Sequence, residues 1–413
     1  MRQLPNWLDA YMEYTDNQES PDLYHKWCAV HVVAAALQRK CFLNWGYITF
    51  YPNFYIVLVG PAGKCRKGTA MGPAYNMMRD LSIKMAAESI TREALVRELK
   101  QSSGTQIDPV DGKMYLHASL SIFSPELVVF LGHNNQQLIS DLTDWYDCRE
   151  RWTYRTKNMG TDDITGVWVN LLGATTPDLL QTTLPLNAIG GGLTSRMIFV
   201  FERNKRKVVP IPFVSNKNKS LGEVLTADLE KINMISGQYR ITTDFLDTWI
   251  DWYTAQEGNP PFNDQRFAGY IERRPTHVLK LSMIMNTFRA DGDQMISKED
   301  LLSSIALIEA TEKNMPHTFG GVGKSQTVDV TNKVLICLAE KKSISMQELI
   351  GMFYHDADRD TMDKVISTLQ GMGAARLRVS GTTTYIDYTY HDHAQWDNTD
   401  NSPLEVMRNP DDE

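Results

Sequence analysis

Residues 55–70 read YIVLVGPAGKCRKGTA. The first five are a continuous apolar run of the kind that forms a strand buried on both faces, and the run ends at Gly60. A glycine-rich turn between such a strand and a helix start gathers backbone N–H groups into a phosphate cradle, and a lysine entering it neutralises the outer phosphates. Lys67 is the candidate lysine, and Gly60, Pro61, Ala62, Gly63, Lys64, Cys65, Arg66, Gly68 and Thr69 complete the loop. The spacing departs from GxxxxGK[ST]. Lys67 stands seven residues after Gly60 instead of six, and Gly68 fills the hydroxyl position, which leaves Thr69 to supply a metal-binding hydroxyl one residue late. The plain alternative is a basic turn after a buried strand. GVGKS at 321–325 is closer to the end of the motif, but Thr318 stands where the first glycine belongs and EKNMPHTF before it is no strand. Lys324 is therefore assigned to a linker.

Working outward, three more apolar runs read as strands: LHASLSIF (116–123), VWVNLLGA (167–174) and RMIFVFE (196–202). Helical stretches such as TREALVRELKQ and NQQLISDLTDWYD separate them, and strands alternating with helices argue for a doubly wound α/β sheet. Residues 1–50 read as a helical segment before this core of 51–215. Residues 216–319 carry helical periodicity throughout, and 320–327 are a glycine-rich linker. In 328–390, three short helices followed by two alternating strands outline a winged helix. The last 23 residues, 391–413, hold seven acids against Arg408 alone and read as a disordered tail.

Formal net charge is -8, and the tail accounts for most of it, so any nucleic-acid contact must come from a local patch. The 5 cysteines are scattered without a CxxC pair, which fits neither a disulfide framework nor a zinc ribbon and suits a reducing compartment. The longest apolar runs fall far short of the roughly 18 residues of a membrane span. The expectation is a cytoplasmic protein with no membrane partner.

Four further places carry candidate chemistry. In LSIFSPELVVFL (120–131), Glu126 follows a strand end, where an acid can polarise an attacking water; otherwise it caps the helix after Pro125. VNLLGATTP (169–177) sets Asn170, Thr175 and Thr176 on a third strand and its end, where a hydroxyl can touch a terminal phosphate or simply start a helix. Arg196 follows a triple glycine at the head of a strand, as an arginine finger would, or as a surface ion pair would. The hairpin RERWTYRTKNMGTDDITGVWV (149–169) interleaves Arg151, Arg155 and Lys157 with Trp152 and Tyr154, a pattern that suits single-stranded nucleic acid and equally a solvated arm. The same two readings apply to the basic run 203–207.

With these pieces in order, YPNFYIVLVGPAGKCRKGT, PELVVFLG, DLTDWYDC, VNLLGATTP and GGGLTSRMIFV make residues 20–320 resemble the AAA+ ATPases of phage and prophage replication modules, near the replicative helicases and primase-helicases. LTSRMIFVF also looks like the arginine-finger segment of minichromosome maintenance helicases, and RRPTHVLKLSMIM is similar to their lid helix. The resemblance implies a P-loop NTPase core with a helical lid, ATP and Mg²⁺ as cofactors, Lys67 as P-loop lysine, Glu126 as catalytic glutamate and Thr175 or Thr176 as sensor. It implies Arg196 as finger and Arg274, less favoured Arg273, as second sensor. The expected assembly is a homo-oligomer, a hexameric ring on single-stranded DNA, working with other replication proteins as a helicase. The alternative is an ATP-switched initiator or helicase loader with little hydrolysis. The elongated P-loop and the absence of a Walker B aspartate before Glu126 bear on metal coordination and turnover more than on nucleotide binding.

Overall fold

The computed structural model describes residues 2–107, 112, 114–132, 135–156, 160–184, 190–289, 293–319, 326–354, 357–381 and 383–389. The chain divides into two compact units, Met1–Gly320 and Gly321–Glu413.

In the first unit the strands are β1 (Cys41–Trp45), β2 (Ile48–Phe50), β3 (Tyr55–Val59), β4 (Ser103–Ile107), β5 (Met114–Ser124), β6 (Arg151–Thr156), β7 (Gly160–Thr165), β8 (Val167–Thr175), β9 (Met197–Phe201), β10 (Gly237–Ile241) and β11 (Met295–Ile296). The core sheet runs β4-β5-β8-β3-β9, with β5, β8, β3 and β9 parallel and β4 antiparallel at the edge. Every residue of β3, β8 and β9 is buried, so helices cover both faces, and these strands read as unbroken apolar runs for that reason. The helix Asp22–Leu37 is buried on nearly every turn and packs against β8 and the helix Lys67–Asp80. Thr91, Asn135 and Thr176 cap the helices that follow them through their side-chain oxygens.

Two expectations change. Residues 41–50 are strands, not helix, and 216–319 is not purely helical. β1 pairs in parallel with β10, antiparallel with β2, and β10 with β11, which gives a second sheet ordered β11-β10-β1-β2. Its strands are short and partly exposed, so they leave no apolar run to read.

The second unit contains helices Gln326–Lys341, Met346–Phe353 and Arg359–Gly371 and the strands β12 (Ser343–Ser345), β13 (Ala375–Ser380) and β14 (Thr383–Tyr388), ordered β12-β14-β13 and all antiparallel. Val334, Leu338, Leu349, Val365, Leu369 and Ile386 form its own core. No described helix is long and apolar enough to cross a membrane.

Candidate functional site

Sheet register brings the expected residues to one level. Val59 pairs with Thr175, and Ser124 pairs with Gly173, so Glu126, two residues beyond Ser124, stands beside the ends of β8 and β3. These are carboxyl ends of adjacent parallel strands, where open α/β sheets bind ligands.

The loop after β3 is tightly built. A Cβ on Gly60 would lie 2.6 Å from the Glu202 carbonyl, 2.7 Å from the Tyr24 hydroxyl and 2.9 Å from Cys65 Sγ, so only glycine fits. The Tyr24 hydroxyl donates to the Val59 carbonyl (2.7 Å), and Cys65 Sγ donates to the Glu202 carbonyl (3.1 Å). Gly63 (φ 72°) and Arg66 (φ 52°) are both left-handed, and the Arg66 guanidinium is held by Glu19 at 3.0 Å. A left-handed arginine is a local backbone strain of the kind that clusters at functional sites. Lys67, the first residue of the next helix, donates through Nζ to the Gly60 carbonyl (2.6 Å) and the Pro61 carbonyl (3.4 Å), so its ammonium lies over the loop. Burial pulls its pKa down, while the Cys65 thiol and the Glu126 carboxylate oppose that shift, which sets Glu126 within electrostatic reach of Lys67.

Glu126 occupies the N-cap position of Leu127–Leu131, yet its side chain makes no capping bond and is exposed. Thr176 is different: its hydroxyl accepts from the Leu179 N–H at 3.3 Å and starts a helix, which leaves the 2% exposed Thr175 as the hydroxyl at the strand end. Asn170 does not reach the site. It is buried within β8, where its amide bonds the Phe54 N–H and His31 and ties strand to helix. Thr69 lies exposed in the first turn of its helix. Among the described residues no group of three His, Cys, Asp or Glu could hold a metal ion. The Thr69 hydroxyl is of the oxygen-donor type that Mg²⁺ takes, in a shell otherwise filled by phosphate oxygens and water.

Arg196 is absent from this level. It immediately precedes Met197, which pairs with Tyr55 at the start of β3, so it sits at the opposite end of the sheet, about 17 Å from the Val59 level along the strand at ~3.3 Å per residue. Its guanidinium is buried and bidentate to Asp147, at 3.1 and 2.5 Å, and donates to the Gly192 carbonyl at 2.7 Å. Arg273 Nη1 lies 3.8 Å from the same carboxylate, and burial and the Arg196 charge lower its pKa.

Arg274, the expected second sensor, is already paired within the chain. On the helix Ala268–Phe288 it lies in a buried pair with Glu312 (2.6 and 2.8 Å), and its guanidinium packs over the Trp252 ring at 5.2 Å. Neighbours on a helix point about 100° apart, so only one arginine of the doublet can face Asp147, and it is Arg273. Sequence spacing gave no sign of the Asp147 cluster, because its members are brought together only by folding.

The hairpin β6–β7 forms in register from Arg151 opposite Thr165 to Thr156 opposite Gly160. Strand alternation separates the residues that the sequence interleaves. Trp152 packs edge-on to Trp145, Tyr154 stacks on Trp152, and Arg92 lies over the Tyr154 ring, so the aromatics secure the hairpin base. Arg151 and Arg155 are exposed on the other face, and Lys157 lies outside the described residues. The run 203–207 takes its bland reading: Lys205 pairs with Glu19, and Arg206 and Lys207 pair with Asp16, which fastens this segment to the first helices. Lys324 also lies outside the described residues.

No protein-family model matches the chain, and no curated protein matches it.

Proposed function

We propose that this chain is an ATP-hydrolysing AAA+ motor that assembles with copies of itself on DNA, as a replicative helicase of a phage or mobile element. The observation that carries the reading is the convergence of Lys67, Glu126 and Thr175 at the ends of three adjacent parallel strands. The backbone of 60–66 and Lys67 cradle the β- and γ-phosphates of ATP. Glu126 accepts a proton from a water that attacks the γ-phosphorus in line; the bond to the β–γ bridging oxygen breaks, and ADP carries that oxygen away. Thr175 orients the water or the γ-phosphate. Thr69 would hold Mg²⁺, which neutralises phosphate charge when bound.

Arg196 lies at the far end of its own sheet, so it serves a neighbour's phosphate loop, with Arg273 beside it. The site is then composite and requires an oligomer, for which a hexameric ring is the proposed form. Arg151 and Arg155 contact the phosphates of a single strand, without help from the inward-packed aromatics. Residues 328–390 supply a winged helix. Its third helix, Arg359–Gly371, carries Asp360 and Asp363 against Arg359 and Lys364, a balance that suits a protein partner of the replication machinery better than a DNA groove.

The switch reading, an initiator or loader that binds ATP and scarcely turns it over, gains from one observation: Asp147 already neutralises Arg196 within the chain. Steady-state ATP hydrolysis with and without single-stranded DNA separates the two. Stimulated turnover supports the motor. Tight ATP binding without turnover in either condition favours the switch, and no ATP binding at all defeats both.

A further inference from the structure

A cavity of about 740 Å³ opens between the start of β5 and the strands β1, β2 and β10. It is remote from the phosphate loop: His117 on its wall and Ser124 near the loop are seven residues apart on β5, about 23 Å at ~3.3 Å per residue. Its size falls within the range of small-ligand sites, roughly 300–1,000 Å³.

The lining is cationic in an acidic chain. Arg39, Lys40 and Arg240 face it, and the one acid among the lining residues, Glu150, has its carboxylate 2.9 Å from Arg39. Two of the cations are fixed: Arg39 donates to the Val167 carbonyl at 2.9 Å and lies 4.2 Å over the Tyr51 ring, and Lys40 bonds Asn233. Arg240 is exposed and makes no ion pair among the described residues, which leaves its guanidinium for an anion. Aromatic surface accompanies the charge. The Phe42 and Tyr51 rings stand 6.4 Å apart, and Tyr115 is 48% exposed at the rim. Gln106 and Gln238 add amides that can pair with the edge of a base.

We propose that this cavity receives one nucleotide of a single-stranded nucleic acid, its base against the aromatic rings and its phosphate on Arg240. Planar rings with fixed cations are the means by which proteins hold single strands without reading sequence. The position favours a strand over a free nucleotide, because Glu150 on the wall immediately precedes Arg151 of the β6–β7 hairpin, so a strand passing the exposed arginines meets the cavity mouth. The inference rests on the proposed action on DNA, and its test keeps the two apart.

The probe is a fluorescein-labelled oligothymidylate with 5-iododeoxyuridine substitutions, bound to the full chain, irradiated and mapped by peptide. Crosslinks are expected at Phe42, Tyr51 or Tyr115, and Arg240→Glu and Tyr115→Ala should each weaken binding roughly tenfold by anisotropy, the scale of one lost stacked base. Binding that persists in both variants, with crosslinks confined to 151–165, overturns the cavity and leaves action on DNA standing. Excess dTMP that removes the cavity crosslink while the oligonucleotide stays bound overturns the strand assignment in favour of a free nucleotide. Failure of the unmodified protein to bind the probe defeats the DNA reading and the cavity with it.

Discussion

The two ends of the core sheet present opposite kinds of polar chemistry. At the carboxyl end, Lys67 rests on carbonyls of its own loop, and Glu126 and Thr69 face solvent. At the amino end, Arg196 is buried against Asp147, with Arg273 close to the same carboxylate. Under the proposed function, the first end would receive an anion with its attendant cation. The second holds two guanidinium groups on a single acid, and an incoming phosphate can compete for them, because Arg binds phosphate with the same planar fork that it offers a carboxylate. The difference teaches that, if the proposed function holds, the chain carries both halves of a composite site and closes neither alone. It also makes Asp147 the proposed positioning residue, joined through Tyr146 and Trp145 to the Trp152 of the hairpin base.

The contrast can be broken most strongly at Lys67. Lys67→Ala should abolish ATP binding, measured by titration of a fluorescent ATP analogue, and Lys324→Ala should leave it intact; the reverse pattern would move the phosphate loop to the linker. Next in size, Glu126→Gln should keep ATP affinity and lower single-turnover hydrolysis by roughly 10²- to 10⁴-fold, because an amide holds a water but does not take its proton. Near-normal turnover would point to another acid, although Asp141 and Asp147 are already paired with Arg92 and Arg196. The two lid arginines should then separate by observable. Arg274→Ala leaves Glu312 buried without its partner and should cost about 3–5 kcal/mol in thermal or denaturant unfolding, whereas Arg273→Ala should change hydrolysis and leave stability near normal. Equal loss of stability in both would remove the distinction. The smallest effect lies in the hairpin: replacing Arg151 and Arg155 together should lower the salt slope of single-strand binding by about 1.4, at ~0.7 per phosphate contact.

How much of this could be read in advance follows from what each residue faces. β3, β8 and β9 are buried on both sides, and their apolar runs stand out in the sequence. β4 reads Ser-Gly-Thr-Gln-Ile along a half-exposed edge, and β1 and β2 are equally mixed, so neither the antiparallel edge nor the second sheet was legible. Lys67, Glu126 and the threonine pair stood out as candidates because strand ends are marked by glycine, proline and hydroxyl residues. The choice between Thr175 and Thr176 needed the cap bond to Leu179, and the choice between Arg273 and Arg274 needed the rotation of a helix. The hairpin shows the limit most plainly: interleaved charge and aromatics read as one binding strip, but alternation sends them to opposite faces.

Complementation between two inactive variants tests the composite site most directly. Arg196→Ala should bind ATP and lose roughly 10³-fold or more in turnover, and Lys67→Ala should bind none. Oligomers that contain both variants have interfaces where an intact loop meets an intact arginine, so ATP hydrolysis should reappear on mixing. Mixed oligomers, verified by differential tags, that recover no hydrolysis would contradict the account and leave Arg196 as an internal ion pair with Asp147.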